Sequence, residues 1–514
     1  MDLRYDLVPD NEFDALCLDV KQDNAAPTIR EQEKYPAKLH AHKVVQELGV
    51  EDGLIYLPGE PTRSYEDSDM GPAFRQRKYF YYITGVDYPD CAVTYEIAAD
   101  RLTLWIPYVE PRQALYFGSP PDAARCLELY DVDDVRYTTQ LSKFLGVHLT
   151  PSSPILYILH PNQVPRTADH DLRGQYQLDF LKLQPAMNRA RVIKTVHEVA
   201  RIRRANAISS AAHRVIAESI VGLRNEREIE AIFQSICTTH GAREQAYPII
   251  AGAGVNASTL HYGANNQPLA GKQLVVVDAG CEWLGYASDI TRTLPVGGFF
   301  TPEAKAIYRI VERMQEKAFA GVRPGVPYFH LHLDAAMVGL EGLLKLGILR
   351  GDIRDVHAAG TVGAFFPHGL GHHVGLEVHD VSGDERLLYQ ADSFKVEGGK
   401  REMITPTALI SLNREAEATI ASAPRKKLQV LQPNMIVTIE PGIYFCRPYI
   451  EGYFLNSPLH SKFIDKDVLE RYYDVGGVRI EDDLLVTEHG YENLTSAPKG
   501  AGLLDIINGG FERI

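Results

Sequence analysis

The spacing of hydrophobic positions along the first third of the chain changes repeatedly between helical and strand-like periods. Residues 35–48 (YPAKLHAHKVVQEL) have apolar side chains at a spacing compatible with a helix, and residues 53–57 (GLIYL) form a short apolar run typical of a buried strand. Two more apolar runs, at 91–95 and 102–106, flank a polar turn and predict a hairpin. This alternation predicts an α/β domain over residues 1–187.

A change to long helical patterns marks the start of a second domain, which we expect to span residues 188–514. The proline in residues 183–186 (LQPA) interrupts the preceding pattern, so the boundary is placed near residue 187. Residues 192–221 then have the pattern of one long helix, and residues 226–240 have that of a second. Apolar strand-like runs follow, so this domain is predicted to be of the α+β class.

Two aspartates are associated with the first of these strands. Residues 274–278 (LVVVD) form a β-branched run that ends at Asp278, and the next strand-like piece contains Asp289. The two aspartates are eleven residues apart, and in a hairpin-like pair that separation can bring the two carboxylates opposite one another. An acid at the end of so apolar a strand is costly to bury unless it is paired or bound to a metal. The alternative is an ion pair with Arg292.

Two glutamates follow the same pattern later in the chain. Residues 435–439 (MIVTI) form an apolar strand that is followed directly by Glu440. In residues 476–483 (GGVRIEDD), the two-residue period of a strand places Arg479 and Glu481 on one face. A solvated strand end is the alternative for each glutamate alone. Strands that repeatedly deliver acids are typical of a metal site.

Four of the eighteen histidines lie within FFPHGLGHHVGLEVHD, residues 365–380. They are His368, His372, His373 and His379. Imidazole both ligates metals and transfers protons near neutral pH, and the interspersed glycines allow close backbone approach. A glycine-rich turn with solvated histidines is the alternative. Four carboxylates with one imidazole suit two divalent ions bridged by carboxylates, with Mn²⁺ favoured and zinc, cobalt or iron possible.

Composition excludes several other classes of protein. The formal net charge of −14 gives no electrostatic reason to bind nucleic acid or an anionic membrane, and no apolar run is long enough to span a bilayer. Residues 74–86 (FRQRKYFYYITGV) combine basic and aromatic residues, which is compatible with base stacking but more typical of a core with a charged rim.

The cysteine pattern and the first residues bear on the compartment. Six cysteines without a C-x-x-C pair argue against a disulfide framework. The sequence from Met1 to Leu16 has neither a basic segment nor an apolar one of the kind that a secretory signal contains. We therefore expect a cytoplasmic protein.

The chain resembles a known family, the proline-specific pita-bread metallopeptidases, which comprise Xaa-Pro aminopeptidase and Xaa-Pro dipeptidase (prolidase). The matching pieces are HY at 261–262, VVVDAG, SDITRT, HGLGHHVGLEVHD, TIEPG, GVRIEDD and ENLT, in the family's order. They span roughly residues 190–499. The first 187 residues resemble the creatinase-type N-terminal domain of these enzymes, although more loosely.

The resemblance implies a role for each residue of the site. The implied metal ligands are Asp278, Asp289, His372, Glu440 and Glu481, with Asp289 and Glu481 bridging two ions. Glu440 would also move a proton from the attacking hydroxide towards the leaving nitrogen. The implied substrate-binding and supporting residues are His379, His261 and His368, and Arg479 would orient either Glu481 or a substrate carboxylate. His373 has no role in the family's pattern and is expected to be structural.

The implied activity is release of the N-terminal residue from peptides with proline second. A bond to proline nitrogen lacks the N–H that most proteases bind, so a dedicated pocket is needed. A prolidase restricted to dipeptides and a non-catalytic interaction module are the alternatives, and a homodimer is implied. The sequence between Asp380 and the strand that ends at Glu440 is longer than we expect for bacterial relatives and includes the polar stretch from Ser393 to Lys427. It is interpreted as a surface excursion, with a lid or dimer contact as the alternative.

Overall fold

The structure, a computed structural model, describes residues 34–148, 155–165, 177–388, 394–397, 400–403 and 428–509. The N-terminal sequence Met1 to Leu16 and most of the stretch from Ser393 to Lys427 lie outside the described residues, so the expectations for both remain predictions. Within the stretch, β12 (Phe394–Glu397) and β13 (Lys400–Met403) are described and pair antiparallel.

A mixed six-stranded sheet organises the N-terminal part. Its strands are β1 (Leu54–Pro58), β2 (Ala92–Glu96), β3 (Arg101–Ile106), β4 (Asp134–Tyr137), β5 (Leu156–Tyr157) and β6 (Leu178–Asp179), in the order β4-β3-β2-β1-β5-β6. The hairpin predicted from the two apolar runs is confirmed, because β2 and β3 pair antiparallel with Ala92 opposite Trp105. Asp100, in the connecting turn, has a φ of 47°. Asp tolerates this left-handed conformation better than most residues.

Short helices cover this sheet. They are α1 (Ala37–Leu48), α2 (Lys78–Tyr82), α3 (Pro111–Phe117), α4 (Ala123–Leu129) and α5 (Leu141–His148), with 3₁₀ turns at Thr138–Gln140 and Pro161–Gln163. The helix predicted over residues 35–48 is confirmed as α1. The aromatic segment of residues 74–86 is core, because Phe80, Tyr81 and Tyr82 are buried.

The prediction of one helix over residues 192–221 is wrong at its first turn. Helix α6 (Leu183–Val192) ends where the predicted helix begins, and α7 (Val196–Ser219) starts four residues later. Thr195 and Glu198 form a reciprocal capping box that ends the break and starts α7. The domain boundary expected near residue 187 falls inside α6 and remains a prediction. Helix α8 (Glu226–Thr239) agrees with the pattern over residues 226–240.

Ten short strands surround the acidic residues. They are β7 (Ile250–Ala253), β8 (Leu274–Asp278), β9 (Glu282–Trp283), β10 (Tyr286–Ala287), β11 (Thr291–Pro295), β14 (Ile436–Ile439), β15 (Gly442–Tyr444), β16 (Gly477–Arg479), β17 (Asp482–Val486) and β18 (Tyr491–Asn493). Eight of them form three small sheets with the orders β11-β8-β7, β14-β17-β18 and β15-β16, and β9 pairs with β10 alone. A bridge between Thr291 and Glu481 connects the first sheet to the β16–β17 segment.

Further helices enclose these sheets. They are α9 (Pro302–Gly321), α10 (Tyr328–Lys345), α11 (Ile353–Ala359), α12 (Arg447–Tyr449), α13 (Pro458–Ser461), α14 (Lys466–Glu470) and α15 (Gly500–Gly509), with a π-helical turn at Ile450–Leu455. Helix α15 contains most of the residues after Lys499. Its Leu503 and Ile507 are buried in the core to which α7 and β8 also contribute. No helix in the described ranges is both long and apolar enough to cross a membrane.

Candidate metal centre

Asp278 and Asp289 are brought together by the antiparallel pairing of β8 and β11. Asp278 is the last residue of β8 and lies opposite Thr291, the first residue of β11. Asp289 is two residues before Thr291 in the sequence, so it lies just beyond the end of the pair at which Asp278 is found. Asp289 is buried, and its backbone N–H donates to Asp483 Oδ2 at 3.0 Å. The apolar side chains of β8 are buried in the core, and the register of the pair places the two carboxylates at one end of the sheet.

Glu481 reaches the same place from a distant part of the chain. It lies between β16 and β17 and forms the backbone bridge with Thr291, whose hydroxyl donates to Glu481 Oε2 at 2.6 Å. Ile480 points the other way, into the hydrophobic core. Arg479 is on the side of Glu481, since its Nη2 donates to Asp278 Oδ2 at 2.7 Å. The predicted shared face of Arg479 and Glu481 is therefore observed.

His372 and Glu440 close the other side of the cluster. His372 Nε2 lies 3.2 Å from Glu440 Oε1 and 3.4 Å from Asp289 Oδ2. The loop is held against β14, because the backbone N–H groups of His372 and Thr438 each bond to the other residue. At Gly371 an added Cβ would lie 2.4 Å from Thr438 O, so only glycine permits this approach.

The ligating atoms form two overlapping triads. One contains Asp278, Asp289 and Glu481, the other contains His372, Glu440 and Glu481, and within each triad the atoms lie within 4.8 Å of one another. Glu481 is common to both. A third group combines Asp289 and His372 with His379. All five residues expected to be ligands therefore converge on one place.

The donor set fits divalent metal ions. Asp278 Oδ1 and Glu481 Oε1 are buried, and neither has a hydrogen-bond partner among the residues that the structure describes. A buried carboxylate oxygen without a partner is costly, and a cation removes that cost. The alternative ion pair of Asp278 or Asp289 with Arg292 is wrong. The guanidinium of Arg292 lies 2.7 Å from Asp482 instead.

The electrostatics of the cluster also favour bound cations. Burial raises the pKa of Asp289 to about 6, with Asp278 adding to the effect and His372 opposing it. Burial and the neighbouring carboxylates raise the pKa of Glu481 well above its usual range. Burial alone would lower the pKa of His372, but Asp289 and Glu440 outweigh it and raise that pKa well above normal. Without ions, protons on these three side chains reduce the negative charge of the cluster, and bound metal ions would neutralise that charge instead.

The remaining histidines of the predicted site lie around this cluster. The rings of His379 and His372 meet edge to face with centroids 4.1 Å apart, and His379 is exposed. His261 is also exposed and lines the same cavity. His368 contacts Tyr444, with its Nε2 2.9 Å from the phenol oxygen. His373 faces away, since its Nε2 lies 2.6 Å from Gln429 Oε1 and its side chain is buried, as expected for a structural residue.

Three residues that interact with the site were missed by the sequence patterns. Tyr444 accepts a hydrogen bond from Arg479 Nη1 at 2.8 Å, and thereby links Arg479 to His368. Tyr247 lines the cavity and hydrogen-bonds Asp289. Asp483 holds the backbone of Asp289. The acidic doublet after Glu481 was the only visible signal for Asp483, whereas the two tyrosines resemble ordinary core residues.

A cavity of about 820 Å³ opens onto the cluster. Asp278, Asp289, Glu440 and Glu481 lie in its wall together with apolar and aromatic side chains. Such a combination of a deep apolar pocket and a few converging polar groups is typical of a substrate site. The position of the carboxylates in its wall lets a bound molecule reach ions held there.

The fold and this carboxylate-rich centre define a metal-dependent hydrolase. Residues 200–488 match the family described as metallopeptidase family M24, and residues 38–157 match the aminopeptidase P N-terminal domain. The chain therefore belongs to metallopeptidase family M24, with the pita-bread catalytic fold and the aminopeptidase P type of N-terminal domain. The resemblance seen in the sequence motifs is confirmed.

Full-length relatives and solved structures agree with this assignment. The chain is 62% identical to a probable Xaa-Pro aminopeptidase of Metarhizium acridum, covering 98% of this chain and 99% of the relative. It is 60% identical to a probable Xaa-Pro aminopeptidase of Colletotrichum graminicola, covering 97% of each.

Two bacterial structures have the same overall fold. Zinc-substituted Escherichia coli aminopeptidase P in complex with product superposes with a TM-score of 0.73 at 26% identity, covering 94% of this chain and 100% of that one. Pseudomonas aeruginosa aminopeptidase PepP gives the same TM-score at 27% identity, covering 93% of this chain and 99% of that one.

Proposed function

We propose that this chain is an Xaa-Pro aminopeptidase whose centre holds two divalent ions, with Mn²⁺ as the resident metal. The proposed ligands are Asp278, Asp289, His372, Glu440 and Glu481. The observation that carries the proposal is the pair of overlapping triads, which meet at Glu481. Two ions that share a carboxylate need such an arrangement, and a mainly oxygen donor set suits manganese.

Bound ions would polarise the scissile carbonyl and make water a nucleophile at neutral pH. The protein's own groups position the peptide and transfer protons. Glu440 lies against His372 and in the cavity wall, where its carboxylate can carry a proton to the leaving nitrogen. His379 and His261 are exposed at the cavity, where they can donate to a substrate carbonyl or to the oxyanion that develops from it.

Arg479 has a positioning role in this proposal. Its guanidinium is buried and is occupied by three partners: Asp278, Thr291 and Tyr444. This network holds the Asp278 carboxylate and connects it to Tyr444, which contacts His368. Because three of its five N–H donors are used inside the protein and one of them holds Asp278, Arg479 orients the carboxylates of the centre in this proposal.

The cavity supports tripeptides and longer peptides as substrates. It continues beyond the carboxylates to a wall that contains Phe329, Phe366 and Phe454, and so offers contacts beyond the scissile bond. A prolidase restricted to dipeptides would not need them. A non-catalytic interaction module is disfavoured, because all five proposed ligands are present and two of their buried oxygens have no protein partner within the described ranges.

Hydrolysis of Ala-Pro-Gly and of Ala-Pro by the Mn²⁺-loaded protein tests this proposal. We expect release of alanine from the tripeptide, loss of activity with a chelator, and two equivalents of bound metal by elemental analysis. Cleavage of the dipeptide alone would establish the prolidase alternative. Fewer than one equivalent of metal, together with activity that resists chelation, would refute the metal assignment.

We further propose a cytoplasmic homodimer that binds neither nucleic acid nor membranes. The net charge of −14 is unfavourable for both of these partners. The described cysteines are free thiols, including Cys237 and Cys281, which hydrogen-bond one another. The six cysteines contain no C-x-x-C pair, and a chain without a disulfide framework suits a reducing compartment. Cell fractionation and light scattering test location and oligomeric state.

A further inference from the structure

One side of the cavity is formed by aromatic rings that no step of the proposed mechanism uses. This aromatic wall consists of Phe329, His332, Phe366, Tyr449 and Phe454. It starts beside the metal centre, because the rings of His368 and Phe366 have centroids 5.1 Å apart. From Phe366 it continues to His332 at 5.3 Å, and from His332 to Phe329 at 5.8 Å.

His332 is the polar member of the aromatic wall. Its Nδ1 is buried and has no hydrogen-bond partner among the described residues. Burial is the main cause that lowers the pKa of His332 to about 4, so the ring is neutral at physiological pH. A neutral imidazole among phenylalanines is compatible with an aromatic side chain and can still donate or accept one hydrogen bond.

The position of the wall relative to the ligands indicates which substrate residue it contacts. Tyr247 lines the cavity beside Asp289, whereas the aromatic wall is on the side of His368 and Glu440. Glu440 is the proposed proton donor to the leaving nitrogen, so proline and the residue after it lie on that side. This step rests on the proposed function.

We propose that the aromatic wall binds the side chain of the residue that follows proline, and that it selects Phe and Tyr at this position, with His332 accepting or donating to the tyrosine hydroxyl. Burying an aromatic ring in place of water favours binding enough to give a preference of about tenfold over glycine. The substrate class is thus a peptide of at least three residues with an aromatic third residue.

Gly363 provides a way to block this site. It lines the cavity, its carbonyl accepts a hydrogen bond from Tyr449 Oη at 3.4 Å, and a Cβ added to it would meet nothing within 4 Å. Gly363→Leu therefore places a side chain in the open space without disturbing the backbone. Gly452→Leu is the matched control, because Gly452 also has open space around it but is exposed and does not line the cavity.

The experiment measures kcat/KM of the metal-loaded enzyme for Ala-Pro-Phe, Ala-Pro-Tyr, Ala-Pro-Gly and Phe-Pro-Gly. We expect the two aromatic third residues to exceed glycine about tenfold in the wild type and in Gly452→Leu, and the ratio to fall to about one in Gly363→Leu. In His332→Leu, which keeps an apolar side chain at that position, Ala-Pro-Tyr should fall about fivefold relative to Ala-Pro-Phe.

Each other outcome contradicts the proposal in a distinct way. Equal rates for all third residues would refute the aromatic wall as a binding site while leaving the aminopeptidase function intact. An aromatic preference that appears in Phe-Pro-Gly and is lost in Gly363→Leu would assign the wall to the N-terminal residue instead. A preference that survives Gly363→Leu would place the site elsewhere. Failure to cleave any tripeptide would overturn both this inference and the proposed function.

Discussion

The hydroxyl of Thr291 donates to Glu481 Oε2 at 2.6 Å and accepts from Arg479 Nε at 3.1 Å. A residue that is not itself a metal ligand thus fixes the carboxylate that both triads share. A glutamate held in this way keeps one oxygen bound to the protein and leaves Oε1, which has no partner in the described part of the chain, for a cation.

Replacement of Thr291 by valine tests this role. Valine has nearly the same shape, so Thr291→Val removes the hydrogen bonds with little change in packing. We expect the affinity for Mn²⁺ to fall about 10- to 100-fold, measured by calorimetric titration of the metal-free protein. Thr103→Val is the control, because Thr103 is also a buried strand residue but its hydroxyl has no described partner. Equal affinities in the two variants would contradict the role.

Asp289→Asn removes a charge and almost no volume from the centre. We expect kcat/KM to fall at least about 100-fold, since loss of a ligand exceeds the effect of losing its supporting partner. The fold should persist, because burial, with Asp278 adding to it, raises the pKa of Asp289 to about 6 in the metal-free protein, so a neutral side chain suits this position. Circular dichroism and thermal unfolding check the fold. A variant with near-normal turnover would remove Asp289 from the proposed ligands.

Two aspartates that follow the clustered histidines form ion pairs of different burial, and we expect their substitutions to change the free energy of unfolding by different amounts. Asp380 is buried and lies 2.5 Å from Arg191 Nη2 and 2.9 Å from Lys194 Nζ. Asp384 is largely exposed and pairs with Arg189 at 3.0 Å. Asp380→Asn leaves two buried cations without their carboxylate and should destabilise the protein by about 3–5 kcal/mol. Asp384→Asn should change the free energy of unfolding by less than about 1 kcal/mol.

Chemical denaturation of both variants measures the difference. The arginine partners of both aspartates, Arg189 and Arg191, belong to the same helix, α6, so the two substitutions compare an exposed and a buried ion pair with one helix. Similar small effects for the two substitutions would show that the protein relaxes around Arg191 and Lys194. The ion pairs of Asp380 would then not be needed to hold the histidine segment, residues 368–379, in place.

His213 predicts a loss of stability in acid. Burial lowers the pKa of His213 to about 3, against an unfolded value of about 6.5. Between these values the unfolded chain binds a proton that the folded protein does not, so the stability contributed by neutral His213 is lost as the pH falls from about 6.5 towards 3.

His213→Gln isolates this effect. Glutamine can donate to Ala279 O, the carbonyl that lies 3.0 Å from His213 Nε2, but does not titrate. We expect the free energy of unfolding of the wild type to fall more steeply below pH 6.5, by up to about 1.4 kcal/mol per pH unit. Urea unfolding of both proteins in chelator, from pH 7.5 to pH 4.5, measures it. Parallel curves would show that His213 charges freely in the fold.

The acidic strands of the site could be predicted from the sequence because their signal is local. An apolar run that ends in an acid predicts both the strand and the exceptional position of the acid, as for Asp278 and Glu440. Two partners could not be predicted. Arg292 is three residues from Asp289 but pairs with Asp482, and Asp483 contacts Asp289 from almost two hundred residues away. Such choices depend on tertiary packing and not on local pattern.

The helix boundary at Thr195 is a different case. The capping box formed by Thr195 and Glu198 was visible in the sequence, but the continuous helical spacing on both sides concealed it. The two tyrosines at the site, Tyr247 and Tyr444, had no signal in the sequence that could have been read. Tyr444 lies in a strand with the same spacing as core residues, and only its contacts with Arg479 and His368 distinguish it.

The bridge between Thr291 and Glu481 also bears on synthesis of the chain. When a ribosome has released residue 295, strands β8 and β11 can already pair and bring Asp278 and Asp289 together. Their partners Arg479 and Glu481 are translated almost two hundred residues later. During that interval the nascent chain contains an incomplete, negatively charged cluster. The complete set of carboxylates therefore exists only after the C-terminal strands have been translated, because Glu481, which both triads share, is among the last of them to be made.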